Sequence, residues 1–550
     1  MIKKFFKENK FEFYIFAIIS ILMLSNLSNM YLWDDEGETV LLAKNILLFG
    51  VPKIYDGKNF VMRNDYNKDM FNPNLIWTWS SWLHLYIAAL PFSIFGLSTF
   101  SARLFFVIIG VLSFFPIVVL FKKISINKLH YYLSILALLF FVPYYLYSRQ
   151  ARYYALLIFL MPIITISIYN ITFKNGAIAW FLISSSLLFH SNYLSFFVLV
   201  LSASLYFLYT ILKNSHKRIN LLKKVALSYL IIFLFTLPWI IYADIFKKIK
   251  TELSLTDFIM RNIDYILQSI NSTIPLLLIA GSIFFMVYFY FRKNEPVINE
   301  KIFFTFFIGI TPIALFLFSV SFKDVRYLIG LFPLWISFIL LPIIFLVYRK
   351  EYYLKMIGAA IFLLMLFTNI FYSIGFYFFL PFDNLLQEKC SSFVPNKADF
   401  CKPWIKDTFI SQKELKYPFF YYLYEITHDY DGPVEGIVNY LKLKGTENSI
   451  VLTNNHYFSI KFYTNMRVLS PIQFKNTDLA PDFVVVNFPD RRDIETVNYL
   501  ITYAEENNYK KVTLPYPDLP WDNRPVIWYH KFWTQPVEVP VTIYVSPLIL

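Results

Sequence analysis

Ile76-Trp77-Thr78-Trp79-Ser80-Ser81-Trp82-Leu83-His84-Leu85-Tyr86-Ile87-Ala88-Ala89-Leu90-Pro91-Phe92-Ser93-Ile94-Phe95-Gly96 is the stretch on which the fold turns. It is long and apolar enough to be read as a membrane span, and whether it crosses sets the side of everything after it. Around it lie continuous apolar runs at roughly 11–30, 101–121, 129–147, 153–171, 177–190, 193–212, 225–243, 273–291, 302–320, 327–347 and 356–380. They show no period of two, so they predict spanning helices rather than barrel strands. Charge decides the ambiguous stretch. Lys3, Lys4, Lys7 and Lys10 place the N-terminus inside. Lys122/Lys123/Lys128, Lys213/Lys217/Arg218/Lys223/Lys224, Arg292/Lys293/Lys301 and Arg349/Lys350/Lys355 mark further inner loops. All of these agree only if 76–96 does not cross, and its Trp77, Trp79, Trp82, His84 and Pro91 suit a helix lying in the interface. The expectation is a polytopic α-helical membrane protein of eleven spans, N-terminus cytoplasmic and C-terminus outside.

Composition agrees. Of 550 residues 57% are hydrophobic and only 16% charged, against about 25% in soluble domains. The net charge of +13 would suggest nucleic acid on a soluble protein, but here Lys and Arg sit in the presumed inner loops, so no nucleic-acid partner is expected. No small-residue cleavage site follows the first span, which reads as uncleaved. Cys390 and Cys401 lack metal-site spacing; in an oxidising compartment they would close a small disulfide loop, and otherwise they stay thiols. Only 14 glycines occur, and no Walker loop, nucleophile elbow or His-Glu-x-x-His is present. An ATPase or a nucleotide-sugar enzyme is therefore disfavoured.

Residues 1–381 read as the transmembrane catalytic domain, with 31–100 as a first outer loop carrying interfacial helices. From 382 to 550 the apolar runs shorten and proline becomes frequent. Val434–Leu443 and Arg491–Asn507 predict helices, and Ser449–Thr453, Asp482–Val486 and Lys511–Leu514 predict strands, giving an extracytoplasmic α/β domain.

Chemistry is expected on the outer face. Trp33-Asp34-Asp35-Glu36-Gly37-Glu38 crowds four carboxylates at the head of a helical pattern, where the dipole favours them. Such a cluster can supply a general base, or hold a divalent cation through Asp34, Asp35 and Glu36; a solvated acidic loop is the plainer alternative. Arg149 and Arg152 lie at i, i+3 on an outer turn, as do Lys323 and Arg326, against the positive-inside trend. Arg suits bidentate phosphate binding, and the adjoining Tyr153 and Tyr327 can pack on a lipid or sugar, though any single interfacial Arg can simply snorkel. His190 and His84 are candidates for a headgroup contact, with a structural role the plainer reading for both.

These residues carry a resemblance. The chain resembles a GT-C superfamily glycosyltransferase of the protein O-mannosyltransferase/aminoarabinose-transferase type. Asp35-Glu36 matches the family's acidic pair after the first span, continued by Ala43-Lys44-Asn45-Ile46-Leu47 and Gly50. Pro73, Gly96 and Arg103 match a loop proline and a Gly and Arg at the next span, Ser148-Arg149 an outer-turn motif, and Arg326-Tyr327 with Pro333 a late one. Asn72 and Asn74 depart from the family's basic-Pro-Pro pattern, with Lys53, Lys58, Arg63 or Lys68 as substitutes, and Asp34 is an additional acid. The resemblance covers 1–380.

It implies sugar transfer from a polyprenyl-phosphate donor to a lipid, glycan or protein acceptor on the outer face of the inner or plasma membrane. Asp35 and Glu36 would be catalytic; Arg103, Arg149, Arg152, Lys323 and Arg326 would hold the phosphate, and Tyr153, Tyr327 and His190 the substrate. Direct displacement would invert the anomeric carbon, since no second outer carboxylate pair suggests a nucleophile. A divalent cation is optional in the family. The alternative is a transporter or flippase of a lipid-linked sugar, but its signature, acids within spans, is nearly absent.

Overall fold

A computed structural model describes residues 9–62, 68–174, 178–213, 218–245, 273–291, 300–317, 325–374, 377, 414–487, 494–519 and 522–549. Lys323, Cys390, Cys401 and the expected start of the C-terminal domain lie outside the described residues.

Hydrophobicity dictates the first layer. Five described helices are long and apolar enough to cross a membrane: Thr99–Ile124, Tyr154–Phe173, Tyr193–Lys213, Ile219–Tyr242 and Arg326–Val347. A sixth is a bent pair, Lys128–Leu139 and Val142–Ser148, broken by 54°. Pro143 opens the second half, and a proline cannot continue the ladder of the first. The helices Lys10–Leu24, Ala179–Ser191, Leu276–Phe291, Glu300–Leu317 and Tyr352–Phe367 fall on the other expected spans. The chain is a multi-pass membrane protein.

The deciding stretch forms a helix over Leu83–Phe95, 13 residues with Pro91 inside. At 1.5 Å per residue it is about 20 Å long, short of the roughly 30 Å hydrocarbon layer. Trp77 and His84 are buried against protein, and the segment leading into the helix pairs back through Lys53↔Ile76 and Phe71↔Trp77 bridges.

A sheet forms the second layer. β1 (Ile450–Thr453), β2 (Arg467–Leu469), β3 (Phe483–Val486), β4 (Lys510–Pro517) and β5 (Pro540–Val545) assemble in the order β2-β1-β3-β5-β4. β1 pairs in parallel with β2 and β3, and β5 runs antiparallel between β3 and β4. All of β3 is buried, as its continuous Val run predicts. Pro433–Lys444 and Tyr457–Thr464 cover one face, and Ile494–Glu506 covers the other.

The first loop is sewn to this sheet. Asn59 donates to the Met466 carbonyl (2.9 Å) and accepts from the Val468 amide (2.9 Å), and Lys461 donates to the Phe60 carbonyl (2.7 Å). Tyr31 stacks on Tyr463 with centroids 3.9 Å apart. Gly37 touches Phe458 so closely that a Cβ there would lie 2.5 Å from the Phe458 Cβ. Glycine is what lets the acid-bearing helix seat on the C-terminal part.

Candidate active site

Asp34, Asp35 and Glu36 open the helix Asp34–Phe49, where the unpaired N–H groups and dipole favour carboxylates. Successive helical residues point about 100° apart, so the acids diverge. Glu36 turns inward and is fully buried. Its oxygens accept from Arg103 Nε (2.9 Å) and Nη2 (2.8 Å), and Oε1 also accepts from the Ala151 amide (2.8 Å). Arg103 spends its remaining donor on the Leu27 and Met30 carbonyls, at 3.0 and 2.9 Å. The sequence places Glu36 in catalysis and Arg103 on the phosphate; the structure instead neutralises each with the other in the interior.

Asp35 faces the other way and keeps a partly exposed side chain. Its Oδ2 accepts from Arg326 Nη1 at 2.8 Å and lies 3.8 Å from Arg152 Nη2. Arg152 donates to Glu38 Oε1 (2.8 Å) and Thr39 Oγ1 (3.0 Å). Burial alone would raise the Asp35 pKa, but Arg152, Arg326 and Arg524 outweigh it and hold the carboxyl below its ordinary value. Glu38 moves the other way: burial raises it, against the pull of Arg152 and with help from Asp35. Below the two guanidiniums lie Tyr153 and Tyr327, stacked at 6.0 Å and 10°, with Arg152 5.6 Å from one centroid and Arg326 5.5 Å from the other. Gly330 makes this approach feasible. A Cβ there would sit 2.2 Å from the Leu157 carbonyl oxygen, so only glycine lets Val325–Leu331 lie against Tyr154–Phe173.

Other expectations are corrected. Arg149 and Arg152 do not share a helical face, because 149–153 is the break between Val142–Ser148 and Tyr154–Phe173. Arg149 instead is buried, donating to Tyr422 Oη (3.0 Å) and the Asn26 carbonyl (2.9 Å), with Glu425 at 3.8 Å. It braces the C-terminal part rather than joining Asp35. His190 packs edge-to-face on Phe189, centroids 5.2 Å apart, and no hydrogen bond or ion pair joins it to the Asp35 cluster among the described residues. The cation reading of Asp34, Asp35 and Glu36 does not fit: the acids point apart and two of them are taken by Arg. No group of three His, Cys, Asp or Glu suited to a metal exists among the described residues. Lys58, a candidate substitute in the loop, donates to the Glu447 and Asn465 carbonyls, at 2.5 and 2.6 Å.

Sequence reasoning counted Glu38 among the four carboxylates but gave it no role, and missed Arg524. The role of Glu38 was findable, since it lies three residues beyond Asp35 and hence on its face. Arg524 lies in a loop after β4 with no local signal, and only folding brings its charge to Asp35. Asn523 beside it donates to the Tyr31 carbonyl at 2.9 Å.

The architecture defines a class: a polytopic helical membrane bundle, an acid-headed helix at the rim, and a small mixed α/β sheet seated on it. No protein-family model matches the chain, and no curated protein matches it. Solved structures do. ArnT from Cupriavidus metallidurans bound to undecaprenyl phosphate is similar over 97% of this chain and 98% of its own, with TM-score 0.53 and 12% identity. The apo form of that ArnT gives 0.52 and 12%, over 96% of each chain. At this identity the likeness is one of fold.

Proposed function

We propose that this protein is an integral-membrane glycosyltransferase that moves a sugar from a polyprenyl-phosphate donor to a hydroxyl acceptor, with inversion. The observation that carries the reading is the Asp35–Arg326–Arg152 cluster above the Tyr153/Tyr327 pair. It lies in a fold shared with an ArnT that binds undecaprenyl phosphate. The topology that accompanies it has eleven spans over 1–381, the N-terminus in the cytoplasm, and 382–550 outside the inner or plasma membrane. The acceptor class is a lipid, glycan or protein.

In the resting site Asp35 is ionised and occupied by Arg326. A donor phosphate competes for the guanidiniums: its phosphodiester carries one negative charge over two free oxygens that two Arg can bind together, and it becomes a dianion as the sugar leaves. As Arg326 and Arg152 turn to the phosphate, Asp35 loses its partners and its basicity rises. Asp35 then takes the proton of the acceptor hydroxyl. The hydroxyl oxygen bonds to the anomeric carbon while the bond from that carbon to the phosphate oxygen breaks. The electron pair leaves with the lipid phosphate, stabilised by Arg152 and Arg326. Tyr153 and Tyr327 offer an aromatic bed for the sugar or the first isoprene. Lys323 joins the phosphate ligands in this reading. Glu36, Arg103 and Arg149 hold the scaffold, and Glu38 positions Arg152.

The test is Asp35→Asn in purified full-length protein given polyprenyl-phosphate sugar and a membrane lipid extract. Donor binding should persist while transfer falls by about 10²–10⁴-fold. Unchanged transfer overturns the reading, and unchanged lipid movement without any transfer selects the flippase.

A further inference from the structure

The sheet has a second polar focus that sugar transfer at Asp35 does not use. The chain leaves β1 through Tyr457–Thr464 to reach β2 on one side, whereas β3 lies on the other side of β1. The helix after β1 packs with Val451, Phe483 and Val485, and the helix after β3 packs with Leu452, Val484 and Val486. The two helices therefore leave towards opposite faces, which makes the gap between β1 and β3 a topological switch point. Open α/β sheets bind ligands at such a point, outside the carboxyl ends of the strands. β4 runs in the direction of β3, since both are antiparallel to β5, so its carboxyl end arrives at the same edge.

At that edge the sequence places polar groups. Asn454 and Asn487 exchange hydrogen bonds, Asn454 Nδ2 to the Asn487 carbonyl (2.8 Å) and the Asn487 amide to Asn454 Oδ1 (3.0 Å). Asn487 Nδ2 donates to Asp518 Oδ1 at 2.8 Å, tying in the end of β4. Among the described residues, Asn487 Oδ1 and His456 Nε2 are buried here without a hydrogen-bond partner, on residues 1% and 2% exposed. His456 also holds φ +56°, in the left-handed region, with its backbone amide donating to Asn455 Oδ1 at 2.9 Å. Buried polar atoms are nearly always satisfied, so an open acceptor and an open ring nitrogen at a switch point mark a place for a ligand.

We propose that the carboxyl-end edge of β1 and β3, with His456 and Asn487 at its centre, binds a neutral saccharide of the acceptor. Its role as the acceptor rests on the glycosyltransferase reading; the saccharide site itself does not. Amide and imidazole groups suit hydroxyls, which donate and accept. Asp518 at the same edge disfavours a phosphate. The edge is also joined to the reaction centre. His456 lies two residues before Phe458, which packs on Gly37, itself two residues from Asp35. Asn523, after β4, reaches Glu36 at 3.5 Å.

The experiment reads binding, not transfer. Full-length protein in nanodiscs is titrated with the methyl glycosides of glucose, galactose, mannose and N-acetylglucosamine, observed by saturation-transfer NMR. At least one should bind, and His456→Asn, which tolerates the same backbone, should weaken it at least tenfold. Asn487→Leu should do the same; if it fails to fold, His456→Asn decides alone. Undecaprenyl phosphate should not displace the glycoside. The proposal falls if no glycoside binds, if His456→Asn binds like the wild type, or if the lipid displaces the sugar. Glycoside binding in a protein that transfers nothing would overturn the transferase reading and leave this site standing.

Discussion

Asp35 and Glu36 are adjacent in sequence and opposite in fate. One faces a half-open cluster of guanidiniums, and the other is sealed around Arg103. Removing one partner of a buried pair costs about 3–5 kcal/mol, because the remaining charge has no solvent. Arg103→Ala should therefore lower the melting temperature sharply, and adding Glu36→Gln should recover much of the loss; a single variant as stable as wild type would refute the buried pair. Asp35 gives a different signature. Its carboxyl is held below the ordinary value by Arg152, Arg326 and Arg524, so it stays ionised to lower pH than a free carboxyl at about 3.9. The acid limb of kcat/KM should lie correspondingly low, and Arg326→Ala should shift it upward while slowing transfer roughly 10- to 150-fold, as loss of a charge-assisted bond of about 1.5–3 kcal/mol implies. An unmoved limb would detach Asp35 from Arg326.

At the scale of elements, the site depends on how closely the short helix Val325–Leu331 lies against Tyr154–Phe173. Gly330→Ala places a methyl against the Leu157 carbonyl, an overpacking worth about 1–3 kcal/mol, and should reduce transfer although Gly330 touches no substrate. Full activity with an unchanged melting temperature would show that Arg326 is positioned otherwise. Most elements were legible in their own residues: the expected helix over 491–507 forms at Ile494–Glu506, and the Val run forms β3. Tyr457–Thr464 was not, because eight residues between left-handed His456 and Asn465 are too short to show a period. β5 was not either, though its β-branched residues carry a signal; prolines at 536 and 540 disguise the run.

At the scale of the molecule, the C-terminal part grips the segment leading to Asp35. Glu435 Oε1 accepts from the Tyr31 amide at 2.6 Å, and Glu435 and Asp522 face the same space beside Gly432. Burial raises both carboxyls above their ordinary values, with Asp522 adding repulsion at Glu435. The folded state thus holds a proton that the unfolded chain releases near pH 4.3. This contribution is complete below that pH and is lost as pH rises towards the raised value. Glu435→Gln should flatten the fall of melting temperature over that range; identical pH profiles would sink the shared-proton reading. Orientation is tested separately. A reporter fused after residue 218 should be cytoplasmic and one after 400 outside, and the same side for both would overturn the charge-parity argument.

What the sequence determined by itself is the class of molecule and the inventory of its chemistry. Hydropathy adds along the chain, so long apolar runs announce membrane helices whatever packs beside them, and an acid cluster at a helix start is visible as composition. Only the tertiary structure decided which charges meet. A carboxylate pairs with the guanidinium its side chain faces, and facing is set by the 100° step of the helix, by the break at 149–153, and by glycines that admit close approach. Arg524, almost 490 residues from Asp35, acts on it for that reason, while Arg149, three residues from Arg152, does not.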